Sequence, residues 1–93
     1  MAARFSPAEV AQALIELPGW TADGDAIVRT LKFADHIAAV GFVVKVAMAA
    51  EVMDHHPDLR LVYDTVAIRL NSHDAGGVTD RDVRLARRID QLA

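Results

Sequence analysis

The sequence predicts an α+β fold: one four-stranded antiparallel sheet with helices on one face, in the order α-β-β-α-β-β-α. Three observations predict it. Apolar residues recur at helical spacing in three segments, two pairs of alternating strand-like runs each flank a short turn, and no repeat or Pro/Gly linker divides the chain. At 93 residues the length suits one domain, and we read residues 1–93 as that domain.

The first helix is announced by Ser6-Pro7-Ala8-Glu9. Ser6 can cap, Pro7 sits where a missing N–H costs nothing, and Glu9 can close a capping box. Val10, Ala13, Leu14 and Leu17 then repeat at helical spacing until Pro18-Gly19. Trp20-Thr21-Ala22 and Ala26 to Phe33 flank Asp23-Gly24-Asp25 and read as a hairpin, with Ile27, Arg29 and Leu31 on one face. Asp35 is the expected cap of a second helix running to about Met53. Between Ile37 and Ala50 its only charge is Lys45, so it is apolar nearly all round: either the domain wraps it or, the reading we favour, part of it meets a partner subunit. A second strand pair, Arg60 to Tyr63 and Val66 to Asn71, turns at Asp64-Thr65. Gly76-Gly77 lies in a loop, and Thr79 caps a last helix with Val83, Leu85, Ala86, Ile89 and Leu92 on its apolar face.

Composition removes several function classes. Ten Lys and Arg against thirteen Asp and Glu give a net charge of −3, without the basic patch that nucleic acid requires. The apolar stretch from Ile37 to Ala50 is too short for a membrane span, which needs about 20 residues. The start, Met1-Ala2-Ala3-Arg4-Phe5, has no secretory pattern, and the absence of cysteine suits a reducing, cytoplasmic setting while excluding thiolate chemistry.

The chemistry concentrates in histidines. Of four, His55 and His56 are adjacent in Asp54-His55-His56-Pro57, and His73 follows the last strand. A turn centred between Asp64 and Thr65 sets Pro57 opposite Ser72, which brings the three imidazoles to the open end of one hairpin. Asp82, in the first turn of the last helix, and Glu51, one turn before His55, are carboxylates within reach. Asp82 could instead only complement the helix dipole, Glu51 could be a solvated position, and His36 reads as a surface residue. Neighbours in an extended segment project to opposite sides, so His55 and His56 can hardly share a metal ion, and no HxH or HExxH spacing occurs. Gly76-Gly77 lacks a phosphate-loop frame. What remains is metal-free acid–base chemistry, for which imidazole suits because its ordinary pKa lies near neutrality.

Glu51-x3-His55-His56-Pro57-x5-Tyr63-x9-His73-x8-Asp82 resembles the signature of the pterin-4a-carbinolamine dehydratases. The resemblance spans roughly residues 14–90: Leu14 to Trp20 is similar to the family's helix-to-strand entry, and Gly76-Gly77-Val78-Thr79-x2-Asp82 to its last helix start. It implies dehydration of 4a-hydroxytetrahydropterin to quinonoid dihydropterin, in support of tetrahydropterin recycling, with neither metal nor coenzyme. It implies that His55 and His56 bind the pterin and supply the general acid and that His73 binds and acts as base. Glu51 and Asp82 would order the site, and Pro57 and Tyr63 would frame it. It also implies a homodimer or homotetramer. Family members commonly carry an aromatic residue two positions after the proline, where this chain has Leu59. The alternative is a non-catalytic scaffold on the same fold, and the three retained histidines argue against it.

Overall fold

The computed structural model describes residues 3–93; Met1 and Ala2, part of the expected domain and of the N-terminal reading, lie outside the described residues. Helix α1 is Pro7–Ile15, and both capping-box bonds are present: Ser6 Oγ accepts from Glu9 N–H at 3.2 Å and Glu9 Oε1 from Ser6 N–H at 2.8 Å. Strands β1 (Thr21–Asp23) and β2 (Ala26–Lys32) follow, then helix α2 (His36–Val52), strands β3 (Asp58–Val62) and β4 (Thr65–Leu70), a single 3-10 turn at His73–Ala75, and helix α3 (Asp80–Leu92). The predicted order is the observed one. Asp35 caps α2 through Ala38 N–H at 2.8 Å, and Thr79 caps α3.

The four strands form one antiparallel sheet in the order β1-β2-β4-β3. β2 therefore lies beside β4, and the two hairpins join with Ile27 opposite Leu70 and Leu31 opposite Val66. Opposed residues share a face of an antiparallel pair, so burial sorts the two faces. Ile27, Val66, Ile68 and Leu70 face the helices and close a core with Leu17, Trp20, Phe42, Val46, Leu85 and Ile89. Asp23, Arg69 and Asp58 stand on the other, uncovered face. The end of α3 is tied to the sheet through Asp90, which accepts from Trp20 Nε1–H at 3.0 Å and pairs with Arg29 at 2.6 Å.

One expectation is corrected. Asp58 opposes Arg69 and Val62 opposes Thr65, so the turn is Tyr63-Asp64 and not Asp64-Thr65. The strands are Asp58–Val62 and Thr65–Leu70 rather than 60–63 and 66–71. Carried outward, that register sets Leu70 opposite Pro57, where Ser72 was expected. The cause is Tyr63, which adopts a left-handed conformation at φ 53° despite its side chain. A bond from His36 Nδ1–H to the Tyr63 carbonyl, 2.7 Å, holds that turn against the start of α2.

Helix α2 buries only Ala39, Phe42, Val46 and Ala50. Ile37, Val40, Val44, Met48 and Val52, spaced three or four apart, form an apolar stripe on its outer side, and Met48 is 67% exposed. No helix among the described residues is long and apolar enough to cross a membrane.

Candidate active site

The site begins where α2 stops. Asp54 takes up a left-handed conformation at φ 51°. Its N–H bonds the Glu51 carbonyl and His55 N–H bonds the Ala50 carbonyl, both at 3.1 Å. These are the two bonds of a Schellman C-cap, with aspartate in the place usually taken by glycine. The reversal turns the chain off the helix axis and sends His55 inward. His56, Pro57 and Asp58 then lead into β3.

His55 is buried, and its Nε2–H donates to Asp82 Oδ1 at 2.5 Å. Asp82 is 0% exposed. Its second oxygen accepts from Ser72 Oγ–H at 2.9 Å and from Thr79 N–H at 2.8 Å. The carboxylate thus closes the capping box of α3 and holds an imidazole from another element. Asp82 serves the helix start and an imidazole from another element at once. Among the described residues no buried side-chain nitrogen or oxygen lacks a hydrogen-bond partner.

His56 is the opposite case. Its Nε2–H donates to Glu51 Oε1 at 2.7 Å, with the two side chains 58% and 78% exposed. Glu51 was expected near His55 and instead meets His56, because the reversal at Asp54 turns His55 away from the end of α2.

His73 stands in the loop after β4. Ser72 N–H bonds the Gly77 carbonyl at 2.8 Å, and Gly76, left-handed at φ 74°, returns its N–H to the Ser72 carbonyl at 3.0 Å. This small closed loop holds His73 exposed at its rim, and an Arg81–Asp74 ion pair of 2.6 Å ties it to α3. The Arg81 guanidinium, through its hydrogen bond, holds the Asp74 carboxyl below the ordinary aspartate value.

The uncovered sheet face and these segments line a half-open cavity of about 480 Å³, formed by Asp25, His56, Pro57, Asp58, Arg69, Asn71 and His73. His56, Pro57 and His73 therefore meet at one cavity despite the shifted register, two of the three imidazoles that the hairpin argument brings together. His55 is not among the lining residues and stands behind them on Asp82. Tyr63 is at the far end of the hairpin from the cavity, where it shapes the turn. Leu59 opposes Ile68 and packs on the core rather than lining the cavity. No three His, Asp or Glu side chains among the described residues converge as a metal site would require.

Four lining residues escape the sequence reading: Asp25, Asp58, Arg69 and Asn71. Asp25 reaches the site because β2 lies beside β4, and its carboxylate pairs with Arg69 at 3.1 Å. Pairing the two hairpins through Ile27 and Leu70 would have found it. Asp58 directly follows Pro57, and Asn71 lies two residues before His73. The Ser72 and Thr79 hydroxyls, bonded to each other at 2.8 Å, carried no sequence signal beyond the cap.

Known proteins resemble this chain over nearly its whole length. The family model described as "Pterin 4 alpha carbinolamine dehydratase" matches residues 3–92. A protein of Nitrobacter winogradskyi named "Putative pterin-4-alpha-carbinolamine dehydratase" is 50% identical, covering 100% of this chain and 94% of its own. One of the same name from Streptomyces coelicolor is 48% identical over 96% of this chain and 89% of its own. Among solved structures, a transcriptional coactivator/pterin dehydratase from Brucella melitensis superposes with a TM-score of 0.92 at 39% identity, covering 97% of this chain and 98% of that one. A pterin dehydratase-like RuBisCO assembly factor of the alpha-carboxysome shares the fold, with a TM-score of 0.67 at 19% identity over 80% and 86% of the two chains.

Proposed function

The chain belongs to the pterin-4a-carbinolamine dehydratase family, and from that premise we propose that it dehydrates 4a-hydroxytetrahydropterin to quinonoid dihydropterin by histidine acid–base catalysis. The observation that carries the reading is one cavity lined by His56 and His73, with the Asp82-bound His55 next in the chain. Its volume of about 480 Å³ suits a bicyclic ring, because small-molecule sites commonly span about 300–1,000 Å³.

The reaction needs two proton transfers. The departing 4a-hydroxyl must receive a proton to leave as water, and the ring N5–H must lose one as the C4a–O bond breaks. Imidazoles do both near neutral pH, and positioned ones contribute about 10²–10⁴-fold each. In this reading His55 and His56 bind the pterin and deliver the proton, and His73 receives the other. Asp82 and Glu51 orient the imidazoles they touch, and Pro57 shapes the cavity wall.

Two further parts of the reading concern the whole molecule. The outer stripe of α2 joins a second copy of the chain, because a self-complementary apolar face of this kind is what a two-fold pair buries. The protein works in the cytoplasm, consistent with a chain that contains no cysteine.

The test is dehydration of freshly generated 4a-hydroxytetrahydropterin with and without the protein, since the reaction also proceeds unaided. An acceleration proportional to protein concentration supports the enzyme. Equal rates would leave the scaffold reading.

A further inference from the structure

The bonds behind His55 have a determinable direction. A hydroxyl has one proton to give. The carboxylate Oδ2 of Asp82 can only accept, so the Ser72 proton points at it across 2.9 Å. Ser72 Oγ, having spent its proton, must then accept from Thr79 Oγ1–H across 2.8 Å. Thr79 Oγ1 in turn accepts from Arg81 N–H at 3.2 Å. The chain therefore runs one way: Arg81 N–H to Thr79, Thr79 to Ser72, Ser72 to Asp82.

At its far end Asp82 Oδ1 accepts, so His55 must carry a proton on Nε2. Neither oxygen of this carboxylate is left to turn elsewhere: Oδ2 already has two donors, and the side chain is wholly enclosed. His55 Nδ1 makes no hydrogen bond within the described residues. Because no enclosed side-chain nitrogen among them is unpartnered, Nδ1 is not fully enclosed.

We propose that Ser72 and Thr79 are positioning residues that lock Asp82, and through it fix His55 with the proton on Nε2 and the lone pair on Nδ1. Nδ1 is then the ring nitrogen left free of the Asp82 pair, and His55 delivers a proton from it to bound substrate only when it enters the turnover as the imidazolium. The importance for catalysis rests on the dehydratase reading; the tautomer does not.

The experiment is long-range ¹H–¹⁵N correlation of the histidine rings at a pH where His55 is neutral, without substrate, on wild type, Ser72→Ala and Thr79→Ser. Wild type should show His55 as the pure Nε2–H form. Thr79→Ser, which keeps the hydroxyl, should match it, and Ser72→Ala, in which Asp82 Oδ2 keeps only the Thr79 N–H, should keep the Nε2–H form but with a shifted Nε2–H resonance. On the pterin, Ser72→Ala should lower kcat roughly tenfold with KM unchanged, the scale of one lost hydrogen bond to a charged group. A wild-type His55 protonated on Nδ1 overturns the proposal, even if Ser72→Ala does not fold. So does a folded Ser72→Ala with an unchanged Nε2–H resonance and unchanged kcat. A protein inactive on the pterin would instead defeat the dehydratase reading while the ring spectra still decided this one.

Discussion

Two carboxylate–imidazole pairs of nearly equal length stand within two residues of each other and have little else in common. His55–Asp82 spans 2.5 Å with side-chain exposures of 10% and 0%; His56–Glu51 spans 2.7 Å at 58% and 78%. The first joins α2's C-terminal reversal to α3, with both oxygens of Asp82 hydrogen-bonded. The second joins a helix end to the adjacent loop and is open to water and salt. Coulomb attraction across water is weak and screened, whereas an enclosed carboxylate keeps its partner only if its other lone pairs are also satisfied. Contact distance therefore says little about what a pair contributes; the surroundings decide. The buried pair is part of the fold, and the exposed one is held by little besides its own contact.

The sharpest way to break the comparison is to remove each carboxylate. Asp82→Ala leaves His55, the Ser72 hydroxyl and the Thr79 N–H without their enclosed acceptor. It should cost about 3–5 kcal/mol in urea unfolding, the range for breaking a buried pair. Glu51→Gln should cost less than about 1 kcal/mol, and raised salt should erase the difference. A similar loss in both variants would remove the distinction.

The outer stripe of α2 offers a test of intermediate size. Met48→Glu sets a charge in the middle of Ile37, Val44 and Val52. In analytical ultracentrifugation the wild type should sediment as a multiple of its 10.1 kDa chain and the variant as a single chain. Wild type sedimenting as one chain would contradict the proposed assembly.

The smallest expected effect concerns Asp74. Its folded value is lowered by Arg81, so the pair adds stability above the ordinary aspartate value, near 4. That stability is lost as pH falls through the lowered value. NMR titration of Arg81→Ala should return the Asp74 carboxyl toward its ordinary value, with the acid limb of the unfolding curve moved only slightly because the pair is solvent-screened. An unmoved titration would show that Arg81 is not the cause.

Legibility from sequence followed the range of the interactions. Ser6, Asp35 and Thr79 announced their helices because a cap bonds residues two or three positions away. Sheet content followed from alternation in Val66, Ile68 and Leu70. The β3–β4 turn was misplaced by one residue because Tyr63, an unlikely left-handed residue on its own, is held by His36 from another element. The meeting of His56 with His73 survived that slip, since a hairpin end tolerates a small shift in register. The division of labour between His55 and His56 did not show. It depends on the left-handed Asp54, for which the residue type gives only a weak hint. The Asp25 side of the cavity depends on which strands are neighbours, a long-range fact that local patterning does not carry.

The central claim is that imidazoles at this cavity move the protons of a pterin dehydration. It is tested most directly by stopped-flow rates for wild type, His56→Ala and His73→Ala on one batch of 4a-hydroxytetrahydropterin, each corrected for the unaided reaction. Each variant should fall by about 10²–10⁴-fold while keeping its fold. Full activity in both would contradict the account.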